Sequence, residues 1–571
     1  MRLRAVALLV AAAAALAGLS AACGVQVAAG PTPSATAAAP VPGGPASPSP
    51  VPSPSPPDSQ SPSPEPSVAA GTPSASPGAA AAEAAAARRL AAAADVKAIL
   101  PAFDAAARKL FADSGVPGAA VAVVAGDTAV YVNCLGVREA GRPEPVDKDT
   151  VFQLASVSTS FTATMLASLV THGEIRWDDP VQKYWPGFAL WDPWVSGHVA
   201  FRDLMAQRSG LPPYAGDELQ QFGYGRQEIL YRLRFLQPAA GFRAAYAYQN
   251  ALPTAAASAA SRATGASWRT LVRTRVLEPL GMDSTVLTYR DYLAATDRSA
   301  SHTLVDGVMT AGTPQDDDTF APAGGVSATI ADMVPYLRMQ LNGGALAGRR
   351  VAGDEALAAT HAATTVMDDG TAGPQAYALG WETFGYLGRR VVQHDGDFAE
   401  GASTSISMVP GDGVGIVVLT NAFPDGHALA AALTNTLYDL YMQGHPQQDW
   451  LTQQRQALAE ALKGSTVGPY RHLPAAPPAD PAAPRSRTAY EGTFTNDYYG
   501  LVTVSKGSGS GLDVRLGRGD VLRYVPWDGD TWRQPESDTA AVFDVAGGRA
   551  RSVRLMVLDF GGRDGLLTRT P

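Results

Sequence analysis

Ser156 and Thr159 stand three residues apart in Phe152-Gln-Leu-Ala-Ser-Val-Ser-Thr-Ser-Phe-Thr-Ala163, at what reads as the start of a helix. Residues i and i+3 share one helix face, so a base at the second position reaches a hydroxyl at the first. A serine activated in this way attacks a carbonyl carbon and becomes acylated. At this spacing the base is usually a lysine amine, and Thr159 occupies its place. A threonine hydroxyl fills the space but takes up no proton at neutral pH. Serine at a helix start also has a plainer reading as an N-cap, where it is favoured for backbone reasons alone.

Nothing nearby in the sequence replaces the lysine. The chain holds Lys97, Lys109, Lys148, Lys183, Lys463 and Lys506, and none follows a serine by three. Arg208 is permanently charged and cannot act as a base. The eight histidines are scattered, with no His-x-x-x-His pair and no cysteine cluster, so no metal site is expected. No glycine-rich phosphate loop follows a strand, and no cofactor is implied. A formal charge of -9 argues against nucleic acid as a partner.

The elements that must position Ser156 are legible as alternating patterns. Residues 79–110 are alanine-rich with helical spacing of larger apolar residues. Gly118–Val124 and Ala129–Leu135 read as strands around a Gly-Asp turn, and the Ser156 helix runs to about His172. Residues 175–375 read as helices and long loops. Arg389–His394, Ala402–Val409 and Val414–Thr420 read as three more strands, followed by a helix from about Gly426 to Met442 that closes the domain. Strands from both ends of a segment around a helical insert imply an α/β fold, one antiparallel sheet flanked by helices over residues 79–463. A Pro/Ala linker at 464–487 leads to short alternating strands over 488–571, a small all-β barrel or sandwich.

The first 78 residues have a different character. Arg2 and Arg4, an apolar run from Ala5 to Gly18 and small residues before Cys23 read as a signal peptide over 1–22. The surroundings of Cys23 resemble a bacterial lipobox, with the leucine one position early. Lipidation of Cys23 would make a membrane-anchored lipoprotein on the extracellular face, whereas cleavage after Ala22 would release a secreted protein. Residues 23–78 are Pro/Ser/Ala-rich and read as an extended, disordered tether. Cys134, in an apolar stretch, reads as a small core residue.

Four landmarks in fixed order carry a family resemblance: the Ser156 segment, Phe201-Arg-Asp-Leu-Met-Ala-Gln-Arg-Ser-Gly-Leu-Pro212, Tyr248-Gln-Asn250 and His394-Asp-Gly396. Glu278-Pro-Leu-Gly-Met282 and Pro322-Ala-Gly-Gly325 add to them. Together they resemble the serine β-lactamase and penicillin-recognising family, in its class C and D-aminopeptidase/esterase branch, across about residues 100–445. The resemblance implies a β-lactamase/transpeptidase-like fold and a serine hydrolase acting on an amide, peptide or ester bond. It implies Ser156 as nucleophile, Tyr248 as proton-transfer group, and Asn250 as a donor to substrate or holder of the network. It implies that His394 orients a substrate carboxylate or supplies partial positive charge, and that a backbone N–H, that of Asp397, completes the oxyanion site. Gly396 would let substrate lie along its strand, and the charges of Asp395 and Asp397 would disfavour acidic substrates. The expected partner is a small-molecule or peptide substrate, such as one derived from the cell wall. The threonine at 159 leaves a second expectation open, an inactive member that binds envelope ligands in the same cleft.

Overall fold

The computed structural model describes residues 77–368, 374–466, 473–474, 476–535, 539–559 and 563–571. The expected signal peptide, Cys23 and almost all of the expected tether lie outside them. Among the described residues no helix is long and apolar enough to cross a membrane.

Helix α1 (Pro77–Ser114) is followed by strands β1 (Gly118–Ala125) and β2 (Thr128–Gly136), then by α2 (Ser158–Thr171). The helical insert contains α3 (Ala251–Thr264) and α4 (Ile330–Leu341). The chain then returns through β3 (Thr365–Asp368), β4 (Gln375–Tyr377), β5 (Glu382–Tyr386), β6 (Arg389–Phe398), β7 (Ala402–Val409) and β8 (Val414–Thr420). Helices α5 (Asp425–Gln443) and α6 (Trp450–Thr466) follow. One antiparallel sheet forms in the order β2-β1-β8-β7-β6-β5-β4-β3.

The sheet is covered on both faces, and the composition of its central strands reflects this. Every residue of β1, Gly-Ala-Ala-Val-Ala-Val-Val-Ala, is buried. Successive side chains point to opposite faces, so Val121 and Val123 pack with Val96 and Phe103 of α1 and Leu433 of α5. Ala120, Ala122 and Val124 belong instead to the core shared with the insert, including Phe161 of α2 and Leu337 of α4. Helix α6 extends the α/β domain beyond the helix that the sequence reading takes as its last. It runs three residues into the stretch expected to be linker and buries Trp450 and Leu451 against α5.

The C-terminal domain is a closed barrel of β9 (Gly492–Asn496), β10 (Gly500–Lys506), β11 (Leu512–Leu516), β12 (Val521–Asp528), β13 (Thr531–Gln534), β14 (Thr539–Ala546), β15 (Arg549–Leu555) and β16 (Leu566–Arg569). Closure comes from pairing of β9 with β16. Alternate residues such as Val502, Val504, Val514 and Leu516 are buried, so side chains fill the interior. The sequence reading does not single out the four-residue strands β13 and β16.

Candidate active site

Ser156 lies at the mouth of this architecture. It is the one partly exposed residue in a run that is otherwise buried from Thr150 to Leu169. It sits in a single 3₁₀ turn, Ala155–Val157, directly ahead of α2. Ala155 has φ +46°, a left-handed conformation that costs a residue with a Cβ of order 1 kcal/mol and clusters at functional sites. The plainer reading of Ser156 as an N-cap does not hold, because the N-cap position of α2 is Val157 and no side chain caps that helix.

Three hydroxyls converge here. The Tyr248 phenol lies beside the hydroxyls of Ser156 and Thr159, and both favour its ionisation. Burial acts more strongly in the other direction and raises the phenol above its usual range, helped by the Asp217 and Glu382 charges. The phenol oxygen is buried and makes no hydrogen bond of good geometry. Thr159 is fully buried and donates its hydroxyl to the carbonyl of Ala323 at 3.3 Å. With its proton committed there, Thr159 faces Tyr248 as an acceptor. A directional order follows, in which Ser156 donates toward Tyr248 and Tyr248 toward Thr159.

The Phe201–Pro212 landmark is a brace for this tyrosine. Gln207 donates to the Gln249 carbonyl at 3.0 Å and accepts from the Gln249 amide at 3.1 Å. The Tyr214 amide donates to the Tyr248 carbonyl at 2.7 Å. Asp203, fully buried, is paired with both Arg208 and Arg243 at 2.8 Å, which ties the start of the brace to the loop before Tyr248. Tyr246 turns instead toward Tyr377, with ring centroids 5.3 Å apart.

The far side of the cleft is the end of β6. A Cβ on Gly396 would stand 2.3 Å from the Leu154 carbonyl oxygen and 2.9 Å from the Ser156 amide nitrogen. The expectation that this glycine makes room for substrate is therefore corrected: it makes room for the turn that carries Ser156. Thr404 on β7 closes the same junction by donating to the Leu154 carbonyl at 2.8 Å.

His394 departs from expectation as well. Its Nδ1 lies 2.7 Å from the Asp395 carbonyl, which can only accept, so Nδ1 carries the proton. Its Nε2 then accepts from the Tyr377 hydroxyl at 3.1 Å. The ring is buried, and burial lowers its pKa to about 4. It is neutral and fully engaged, so it supplies neither positive charge nor a free donor for a substrate carboxylate. The charges of Asp395 and Asp397 also need correction. Asp397 is paired with His427 at 2.9 Å, behind the strand. Burial opposes a charge on His427, but Asp397, with Asp395 and Glu382, outweighs it and holds the ring at about 9. Burial raises the pKa of Asp395.

The carboxyl groups of the cleft wall belong to residues the sequence reading passes over. Asn250 donates to Asp217 at 2.8 Å, so its amide holds the network. Burial raises Asp217 to about 8 despite that bond, and burial together with Asp217 raises Asp317 well above the usual carboxyl range. A lone aspartate in a loop has no local signature, so only their convergence marks them. Among the described residues no lysine lies at the site. Lys109, Lys148, Lys183 and Lys506 are each paired with a carboxylate elsewhere on the surface.

A family model described as Beta-lactamase matches residues 103–438. The chain is 25% identical over 426 residues to the unguisins hydrolase ungD of Aspergillus violaceofuscus (strain CBS 115571), covering 68% of this chain and 73% of that protein. It is 31% identical over 330 residues to penicillin-binding protein 4 of Amycolatopsis lactamdurans, covering 54% of this chain and 81% of that protein. Among solved structures, the octameric penicillin-binding protein homologue from Pyrococcus abyssi matches with a TM-score of 0.55 at 19% identity, over 82% of this chain and 98% of that one. That similarity extends to the fold.

Proposed function

The chain belongs to the β-lactamase family of serine hydrolases, and on that premise we propose that it cleaves an amide, peptide or ester bond through an acyl-enzyme on Ser156. The observation that carries this reading is the Tyr248 phenol placed beside Ser156 at the head of α2. Ser156 Oγ adds to the substrate carbonyl carbon while its proton passes to Tyr248 in its phenolate form, the small ionised fraction of that phenol acting as the base. The oxyanion is held by backbone N–H groups at the Ser156 turn and of Asp397. Collapse expels the amine or alcohol with a proton, and water then hydrolyses the ester on Ser156.

With threonine at position 159 the site holds no ammonium to lower the phenol's pKa. General acid–base groups contribute typically 10²–10⁴-fold, so turnover at neutral pH is slow by about that factor. His394 is neutral and fully engaged and offers no cation to an acidic group beside the scissile bond, so peptides and esters fit better than acidic lactams. Peptides of the cell wall are the preferred class. The test is Ser156 labelling by a fluorescent acylating probe: labelling abolished by Ser156→Ala supports the reading, and no labelling of the parent sinks it.

The absence of lysine favours a second reading, a cleft that binds envelope peptides without turning them over. Ligand-dependent thermal stabilisation without labelling would support it. In either case we place the chain outside the cytoplasmic membrane, carried there by the signal over 1–22 and tethered through lipid on Cys23. Residues 23–78 would serve as tether, 79–463 as the hydrolase domain and 488–571 as the barrel after a linker. Incorporation of a radiolabelled fatty acid, lost in Cys23→Ala, tests the anchor.

A further inference from the structure

The wall of the cleft that holds Asn250 is itself held from the C-terminal barrel. The loop from Pro213 to Gly223 lies between them. On its inner side, Asp217 accepts from Asn250 at 2.8 Å and the Tyr214 amide donates to the Tyr248 carbonyl at 2.7 Å. On its outer side, Glu218 is paired with Arg563 of the barrel at 2.6 Å, with the two side chains 3% and 0% exposed. Tyr498, in the turn between β9 and β10, donates to Glu218 at 2.7 Å and accepts from the Gly216 amide at 3.0 Å. Arg563 also donates to the Pro213 carbonyl at 3.1 Å. The end of the loop continues the contact: the Arg518 and Asp520 amides donate to the Phe222 and Gln221 carbonyls at 3.0 and 2.8 Å. A Cβ on Gly519 would stand 1.7 Å from that Gln221 oxygen, so the two backbones are in direct contact.

A buried arginine–glutamate pair is retained at a desolvation cost, and removing one partner leaves the other charge uncompensated. Here the pair joins two domains at the residue next to Asp217. We infer that the barrel is a positioning domain for the active site, and that Arg563 and Tyr498 hold the Asp217–Asn250 wall in the geometry that keeps Tyr248 against Ser156. Neither residue touches the reacting atoms. A misplacement of about 1 Å in such a wall costs up to about 10²-fold in rate.

The test uses the full chain with Tyr498→Phe, Arg563→Met and Arg563→Lys. Two quantities are measured: hydrogen exchange of peptides covering 213–223 and 246–250, and the rate of Ser156 acylation by an activated ester probe. The acylation arm rests on the proposed role of Ser156. In Tyr498→Phe and Arg563→Met, exchange in both segments is expected to rise, and acylation to fall on the order of 10- to 100-fold, in Tyr498→Phe at an unchanged unfolding midpoint of the α/β domain. Arg563→Lys, which keeps the charge opposite Glu218, should recover part of the rate. Should Arg563→Met fail to fold, Tyr498→Phe decides, since it keeps the ring and the ion pair. Faster exchange in 213–223 with unchanged acylation overturns the inference, as does unchanged exchange. If the parent is not acylated at all, the proposed hydrolysis fails instead. The positioning role then stands or falls on whether 246–250 loosens together with 213–223.

Discussion

Gly396 approaches the Ser156 turn so closely that a Cβ on it would stand 2.9 Å from the Ser156 amide nitrogen. The glycine of β6 and the serine ahead of α2 form one junction, through which the sheet sets the position of the helix start.

Gly396→Ala forces that junction apart. Overpacking of a tight site costs typically about 1–3 kcal/mol, and the displaced turn should lose Ser156 labelling by about 10²-fold. A variant that labels at the parent rate would show that the turn moves without consequence.

Thr159→Lys supplies an amine three residues after Ser156, on the same helix face. It should raise the rate of probe acylation by about 10²–10⁴-fold, the range of a positioned acid–base group. A folded variant with no gain would show that the carboxyls Asp217 and Glu382 have reshaped the site beyond this one position.

The pH dependence of acylation follows from Tyr248. Its phenol is raised above the ordinary range by burial, so its ionised fraction grows by about tenfold per pH unit through the whole range from 7 to 10. The acylation rate should therefore climb without a plateau in that range. His394, lowered to about 4 by burial, contributes no inflection near 6.5. A bell-shaped profile centred near neutrality would refute this assignment.

Two histidines tie stability to pH with opposite signs. His394 binds its proton more weakly folded, at about 4, than unfolded, at about 6.5, so the unfolded chain takes up more protons between these values. Stability is therefore lost as pH falls through that window, and His394→Gln should flatten the slope by about one proton. His427 is raised to about 9 by Asp397 despite burial. Its stabilisation is complete below about 6.5 and is lost as pH rises through 9. Denaturant unfolding of His427→Gln should lack that alkaline decline, and a decline equal to the parent's would exclude the pair as its source.

The amino-acid sequence by itself determined the order of the landmarks, the central strands and the doubly covered sheet, because alternation and helical spacing are local patterns. Ala402–Val409 and Val414–Thr420 are legible to the residue. It also determined that a threonine, and no lysine, stands three residues after Ser156. What it could not carry were the relations between residues far apart in the chain. His394 resembles a free cationic group until Tyr377 and the Asp395 carbonyl take up both its nitrogens. Asp397 reads as a charge in the cleft until α5 brings His427 behind it. Asp217, Glu218 and Arg563 have no local pattern at all, since burial and a partner across two domains give them their meaning. Desolvation and pairing depend on what surrounds a side chain in space, and only the tertiary structure decides that.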